Sequence, residues 1–332
     1  MEFFEINPEL YKACEIALKQ CLGVREGESV LIIADEPERK IGYHLWMKAK
    51  ELNTEAVYIE IIPRKMHGEE PPKPVAEAMK SADVVIAPTS KSITHTLAKK
   101  EACKRGTRVA TLPGITEEIF IRTMSTDYEE ILALTNKIAD ILDNGDAVHI
   151  TTNLGTDLEF SIKGRKARRS TGIYRKPGEC GNLPGAEAYI APVEGTANGV
   201  AVIDGSMAGI GVLENPIKLI IRDGFVKKIE GGEEAKKLEG ILSKYGKEAR
   251  NIAEFGVGTN PKAKISGNIL EDEKVFGTIH IALGNNYDFG GKVKAPIHLD
   301  GVIKEPTVLI DGEYLFGGGV WRDKKCLKRK SV

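Results

Sequence analysis

Two residues near the C-terminal end, His298 and Asp300, have types and a spacing that could bind a metal ion. They lie in the run PIHLDG at 296–301, where polar and apolar residues alternate. Residues two apart on a strand point to the same face, so an imidazole and a carboxylate would lie side by side. That pair is half of a ligand shell for a divalent cation. The same pattern is also typical of a simple His–Asp hydrogen bond on a sheet face.

A second histidine, His280, lies in a similar strand pattern, TIHIAL at 278–283. The strand continues into GNNYDFGG at 284–291, which contains Tyr287. Its glycines and asparagines let the backbone turn sharply and approach a ligand. The segment therefore predicts either a ligand-binding loop or an ordinary hairpin loop.

Three glutamates, Glu187, Glu194 and Glu254, lie among apolar residues and glycines. Glu254 is in NIAEFGVGTNP at 251–261, and the other two are in or just after NLPGAEAYIAP at 182–192. A carboxylate is costly to bury unless it is paired or bound to a cation. Each of them could instead be an exposed carboxylate at the end of a strand.

Taken together, these residues offer mixed oxygen and nitrogen ligands for two divalent cations. Paired metal ions about 3.5–4 Å apart are a known arrangement for hydrolysis by a bridging water. Neither H-E-x-x-H nor G-x-S-x-G occurs, which argues against those zinc and serine hydrolases. The proposed set is Glu187, Glu254, His280, Tyr287, His298 and Asp300.

The segments that carry this set resemble the metal-site motifs of the aminopeptidase T/S-type (leucyl aminopeptidase-like) metallopeptidases. They read LPGAEAYIAPVEGTANG, AEFGVGTNP, GTIHIALGNNY and PIHLDGVI, and the likeness is strongest over 180–305. The resemblance implies a homodimeric hydrolase that removes N-terminal residues from small peptides by means of a metal-bridged water. It also implies two Zn²⁺ or Co²⁺ ions on the six residues just named. Glu194 would be the general base, although it could equally be a surface glutamate, and Tyr287 would take part in catalysis.

The sequence departs from that family at one position near the first ligand histidine. The family often has a glutamate five residues before it, where this chain has Val275, with Glu271, Asp272 and Glu273 slightly upstream. A related branch resembles the ring-cleaving dihydroxypyridine dioxygenases, in which His280, His298 and Asp300 would hold one Fe²⁺. A metal-binding homologue without catalysis is a third interpretation.

The elements that must position these residues change in character along the chain. Four short apolar runs in the first half, at 28–35, 55–62, 82–87 and 108–112, are separated by stretches with helical spacing. Strands without alternation between helices indicate a parallel, Rossmann-like sheet covered on both faces. No G-x-G-x-x-G follows these strands and no P-loop motif occurs, which disfavours dinucleotides and nucleotides.

The second half has many short strand patterns separated by turns and only one long helical pattern, at 233–253. This indicates a mixed or antiparallel α+β domain that carries the metal site. The turn signal Asn144-Gly145-Asp146 places the boundary there. We therefore predict an α/β domain over 1–145 and an α+β metal-binding catalytic domain over 146–332.

Composition limits the classes of partner. The 332 residues include 47 Lys and Arg against 48 Asp and Glu, so the basic excess of a nucleic-acid-binding protein is missing. No apolar run approaches a membrane span, and the N-terminus does not resemble a secretory signal, so we expect a cytoplasmic protein without membrane contact.

The five scattered cysteines predict no disulfide framework. A single glutamine among many Lys and Glu fits a heat-adapted source.

Overall fold

The computed structural model describes residues 5–322, and its first part alternates helices with strands. A π-helical turn, Ile16–Cys21, extends the first helix, and a 3-10 turn, Glu36–Glu38, precedes the second. In chain order the elements are α1 (Pro8–Glu15), β1 (Ser29–Asp35), α2 (Arg39–Glu51), β2 (Glu55–Ile61), α3 (Lys73–Ser81), β3 (Val84–Thr89), α4 (Leu97–Lys104), β4 (Arg108–Pro113), α5 (Glu117–Met124) and α6 (Tyr128–Asn144).

The second part is mostly β-structure. Two further 3-10 turns cover Lys247–Arg250 and Tyr287–Phe289. Its elements are β5 (Ala147–Thr151), β6 (Asp157–Ser161), β7 (Arg168–Ser170), β8 (Cys180–Asn182), β9 (Glu187–Ile190), β10 (Asn198–Ile203), β11 (Ser206–Met207), β12 (Gly211–Val212), β13 (Ile217–Arg222), β14 (Phe225–Glu230), α7 (Glu233–Leu242), β15 (Ile252–Gly258), α8 (Ile269–Asp272), β16 (Ile279–Gly284), β17 (His298–Ile303), β18 (Thr307–Ile310), β19 (Glu313–Gly317) and β20 (Val320–Trp321).

The first compact unit is built on a parallel sheet with the strand order β2-β1-β3-β4-β8. Strands β1 and β3 are buried almost throughout because their residues are apolar on both faces. The four strands predicted in the first half are thus confirmed. The fifth strand, β8, comes from a later segment of the chain.

The second compact unit contains two sheets that enclose a common apolar core. Their strand orders are β14-β13-β10-β6-β5-β18-β19-β20 and β12-β11-β17-β16-β15-β9-β7. Phe160 of β6 and Phe255 of β15 meet edge to face in this core, with ring centroids 5.5 Å apart. The predicted fold class, a parallel α/β domain followed by a mixed α+β domain, is confirmed.

The two units do not divide at a single point in the chain. Residues up to Leu132 and Ser170–Gly185 form the first unit, and Ala133–Arg169 and the residues from Ala186 onward form the second. The expected division into 1–145 and 146–332 differs from this, because α6 contributes to both units and β8 pairs with β4. Pairing between segments distant in sequence leaves no local signal.

The long helix expected over 233–253 is wrong. Helix α7 ends at Leu242, Gly246 has extended backbone angles, and strand β15 already begins at Ile252. Glu254 therefore lies within a strand and not after a helix.

Residues 5–322 contain neither a disulfide bond nor a helix that could span a membrane. The four cysteines in this range are free thiols, and Cys326 lies outside it. None of the helices that the structure describes has the length and apolar character needed to cross a bilayer.

Candidate metal centre

The candidate site lies on one face of four neighbouring antiparallel strands, β9, β15, β16 and β17, all within the second unit. Glu187 pairs with Gly258, Gly256 pairs with His280, and Asp300 pairs with Ala282, which in turn pairs with Glu254. Since paired residues and residues two apart share a face, the polar side chains converge there. The alternate residues, among them Phe255, Ile281 and Leu299, face the apolar core.

Glycines in β15 leave the room that this face needs. A Cβ atom on Gly256 would collide with Nε2 of His280, and one on Gly258 would collide with the main chain at Val275. The imidazole therefore lies directly against bare backbone, and the segment after α8 crosses over the sheet at Gly258. Gly256 and Gly258 are therefore needed for space, since neither has a positive φ that would itself favour glycine.

The carboxylate of Glu254 lies between the two imidazoles. Its Oε1 is 3.2 Å from Nε2 of His280, and its Oε2 is 3.5 Å from Nε2 of His298. Nε2 of His298 is also 3.4 Å from Oδ1 of Asp300. Both imidazoles thus direct a nitrogen at the same group of carboxylates.

The orientation of His298 is set by main chain and by an aromatic ring. Its Nδ1–H donates to the carbonyl oxygen of Asn285 at 2.8 Å, which leaves Nε2 as the ring nitrogen that faces the carboxylates. The ring of Phe289 meets the imidazole edge to face at 5.8 Å, and Tyr189 in turn meets Phe289 at 5.5 Å. The side chain of His298 is 30% exposed, so this is the accessible side of the cluster.

On the other side of the cluster, a fully buried lysine contacts two glutamates. Nζ of Lys274 lies 2.7 Å from Oε1 of Glu187 and is also paired with Glu273. Oε2 of Glu187 is 3.6 Å from Nε2 of His280. Lys274 therefore connects to the same cluster through Glu187.

The protonation equilibria show how strongly this cluster attracts positive charge. Burial disfavours the charged imidazole of His280, but Glu254, Glu187 and Asp300 outweigh it and raise its pKa to about 9. Burial also opposes protonation of His298, yet Asp300 and Glu254 raise its pKa to about 10. Burial raises the pKa of Glu254. Without another cation, the acids thus hold protons on their neighbours.

The donor set fits a divalent metal ion. Three of its buried atoms have no hydrogen-bond partner within the described residues, namely Oε2 of Glu187, Nδ1 of His280 and Oδ1 of Asp300. Buried polar atoms are rarely left without a partner, and a bound cation would give the two carboxylate oxygens one. Glu254, His280 and Asp300 offer ligand atoms within 4.8 Å of one another, and so do Glu187, Glu273 and His280. Imidazole and carboxylate donors suit zinc, iron or manganese.

The structure brings five of the six predicted ligands together on this face, and Tyr287 is the exception. Its side chain is 52% exposed, and the Lys294 ammonium lies 4.0 Å from its ring centroid. Phe289, two residues further along, contacts His298 instead. The structure therefore gives Tyr287 neither a ligand position nor a catalytic contact.

Glu194, the expected general base, pairs with loop residues outside the ligand cluster. It forms an ion pair with Arg165, accepts the main-chain N–H of Lys292 at 2.7 Å, and accepts from Asn286 at 3.2 Å. Burial raises its pKa, but these donors outweigh burial and lower the pKa below its usual value. A carboxylate held in this way is a poor proton acceptor and a good anchor for the loop.

Sequence reasoning missed Lys274 as a member of the site and gave Glu273 no ligand role. In the sequence Glu273 is one of three acids upstream of His280, and no local pattern marks a buried lysine. The only local signal for Lys274 is that it directly follows three acids, Glu271, Asp272 and Glu273, which could pair with a buried ammonium.

Comparison with known proteins gives a consistent result. A family model described as NicX, 2,5-dihydroxypyridine 5,6-dioxygenase, matches residues 9–322. A 2,5-dihydroxypyridine 5,6-dioxygenase of Pseudomonas putida is 25% identical over 252 residues, which cover 70% of this chain and 69% of that protein.

Two solved structures share the fold. The 2,5-dihydroxypyridine dioxygenase of Pseudomonas putida KT2440 superposes with a TM-score of 0.82 at 20% identity, covering 97% of this chain and 99% of that one. Wild-type AmpT from Thermus thermophilus superposes with a TM-score of 0.67 at 19% identity, covering 95% and 99%.

These matches contradict the prediction of a dinuclear aminopeptidase that hydrolyses peptides. The assignments as hydrolase, metallopeptidase and aminopeptidase are wrong, because the family model spans nearly the whole chain and describes a dioxygenase. The likeness to aminopeptidase T is a likeness of fold. The residue types of the predicted site suit either chemistry, so the motifs alone did not separate the two groups.

Proposed function

The chain belongs to the 2,5-dihydroxypyridine 5,6-dioxygenase family, and from that premise we propose that it is a metal-dependent dioxygenase that opens a dihydroxypyridine ring. The observation that carries the proposal is the convergence of His280, His298 and Asp300 on one sheet face. Two imidazoles and a carboxylate are the ligand set of non-haem Fe²⁺ oxygenases. These three residues would hold one ferrous ion.

When bound, a ferrous ion supplies redox chemistry and open coordination positions for substrate and oxygen. The protein contributes a fixed ligand geometry. The Asn285 carbonyl sets the tautomer of His298, and Gly256 lets His280 lie close to the sheet. Ligands that cannot rotate keep the open positions in one place.

Glu254 is the residue best placed to accept the proton that a ring hydroxyl loses. Its oxygens contact both imidazoles, so the carboxylate lies beside the ligands of the ion and next to the position that a bound substrate would take. Glu194 and Tyr287 have partners elsewhere and do not compete for this role.

The accessible side of the cluster suits a flat aromatic substrate. Phe289 presents its edge to His298, and Tyr189 supports Phe289. Aromatic rings pair favourably in edge-to-face or offset arrangements. These two rings would form one wall of the substrate site next to the exposed edge of His298.

The test is oxygen consumption by purified protein loaded anaerobically with Fe²⁺. We expect uptake with 2,5-dihydroxypyridine and incorporation of both atoms of ¹⁸O₂ into the ring-opened product. The same preparation, and one loaded with Zn²⁺ or Co²⁺, should release no chromophore from aminoacyl anilides. Peptidase activity without oxygen uptake would overturn the proposal.

A pair of histidine variants makes the assay specific. His298→Ala should abolish oxygen uptake, whereas His149→Ala should leave it unchanged, because His149 lies on β5 and pairs with Asp157. Loss of activity in both variants would indicate damage to the fold instead of loss of a ligand. Full activity in His298→Ala would remove that residue from the site.

A further inference from the structure

Lys274 carries a charge in a position from which it cannot reach water. Its side chain has no exposed surface, and its ammonium contacts Glu187 and Glu273. Its main chain is also fixed, since its carbonyl accepts from the N–H of Asn260 at 2.8 Å and its N–H donates to the carbonyl of Glu271 at 2.9 Å. A buried ammonium is stable only with such partners, so its position is well defined.

That position coincides with one of two potential metal sites. The ligand groups are Glu187 with Glu273 and His280, and Glu254 with His280 and Asp300. They share His280, as the two halves of a dinuclear centre would share a ligand. The Lys274 ammonium contacts both carboxylates of the first group and already offsets one of their two negative charges.

We propose that the ammonium of Lys274 is a built-in cation that takes the place of a second metal ion and restricts the centre to one divalent ion. The inference rests on the metal centre proposed above but not on ring cleavage. A second divalent ion at Glu187 and Glu273 would be repelled by the ammonium and would have to separate it from its partners. Lys274 is thus a residue that determines metal stoichiometry.

The charges of the cluster show what the ammonium replaces. The cluster contains four carboxylates, those of Glu187, Glu254, Glu273 and Asp300, and the imidazoles are neutral when they act as ligands. Two divalent ions would match the four carboxylates if the ammonium were absent. With the ammonium in place, a second divalent ion would bring the total to five positive charges, more than the carboxylates carry.

The test is the number of metal ions bound per chain. The metal-free wild type and Lys274→Met would each be incubated with excess Zn²⁺ alone, freed of unbound metal and analysed by mass spectrometry. We expect one ion in the wild type and two in Lys274→Met, which has a side chain of similar length without charge. Lys218→Met is the matched control at a half-exposed lysine that pairs with Glu230, and it should bind one ion.

Each outcome decides the matter. Two ions in the wild type, or one ion in a folded Lys274→Met variant, would overturn the inference. If Lys274→Met does not fold, Lys274→Gln, which keeps an N–H donor without the charge, takes its place and should also bind two ions; one ion in that folded variant would overturn the inference. A wild type that binds one ion but consumes no oxygen refutes the proposed function and keeps this inference. A chain that binds no ion at all refutes both.

Discussion

The imidazole of His280 lies directly against the backbone of Gly256, its antiparallel partner on the neighbouring strand. Any Cβ atom at that position would collide with Nε2 of His280, the nitrogen that faces Glu254 and Glu187. The backbone of Gly256 has ordinary negative φ, so the position needs glycine for space alone. The backbone of Gly256 thus limits the positions that the imidazole of His280 can take.

Gly256→Ala should therefore weaken metal binding. The added methyl group displaces the imidazole, and we expect the dissociation constant for Zn²⁺ to rise at least about tenfold, or ~1.4 kcal/mol. Overpacking should also lower the free energy of unfolding by about 1–3 kcal/mol. Competition with a chromophoric chelator measures the affinity. Gly240→Ala, in α7 with open space around the position, is the control and should be neutral or slightly stabilising. Equal affinities in the two variants would contradict this view of Gly256.

Glu194→Gln separates anchoring of the loop from general-base catalysis. Arg165 contacts both Glu194 and the carbonyl of Gly290, so together they hold the segment over 286–292. We expect a higher KM, a kcat reduced less than about tenfold and an unchanged pH–rate profile, since losing a general base typically costs about 10²–10⁴-fold. Steady-state oxygen uptake across pH gives all three quantities. A large loss of kcat with a shifted profile would restore Glu194 as the base, and Glu159→Gln, at an exposed position of β6, is the control.

Much of the fold could be predicted because its signals are local. The strands of the first sheet are continuous apolar runs, and the alternation in PIHLDG correctly indicates that His298 and Asp300 share a face. Strand β8 and the division between the units depend on pairing between distant segments, for which no short window contains a signal.

The chemistry could be predicted less completely than the ligands. The same glutamates and histidines suit a dinuclear hydrolase and a mononuclear oxygenase, so residue types alone do not separate the two. The contact between Lys274 and Glu187 joins residues 87 positions apart, and only the folded chain shows that a cation already lies there. The expected homodimer stays a prediction.

Glu38→Gln should stabilise the protein increasingly as the pH rises above about 4.5, and most at pH 7 and above. Burial and the nearby carboxylate of Asp35 raise the pKa of Glu38 to about 7, from about 4.5 in the unfolded chain. Because the folded-state pKa is the higher one, ionisation costs stability as the pH rises through 4.5 to 7, and the full cost is present above 7. The shift corresponds to ~3.4 kcal/mol at most, and partial exposure reduces this to about 1–2 kcal/mol at pH 8.

Thermal unfolding at two pH values checks this expectation. Glu38→Gln should melt above the wild type at pH 8 and together with it at pH 4.5, where both side chains are neutral. Glu36→Gln, two residues away and exposed, should show no such difference. The same gain in melting temperature at both pH values would mean that ionisation of Glu38 is not the cause.

Removal of the metal should destabilise the protein through the second unit. Glu187, Glu254 and Asp300 are buried and placed close to one another, and the Lys274 ammonium contacts only Glu187 of these three, so a bound divalent ion should stabilise the folded state. A ligand at a hundred times its dissociation constant stabilises the folded state by about 2.7 kcal/mol. At about 2–4 °C per kcal/mol for a unit of this size, excess EDTA should lower the melting temperature by roughly 5–10 °C.

In His298→Ala, where a ligand is already lost, EDTA should have much less effect, while His149→Ala should respond like the wild type. Identical melting of the wild type with and without EDTA, after metal loading has been verified, would show that these acids are held apart from any ion.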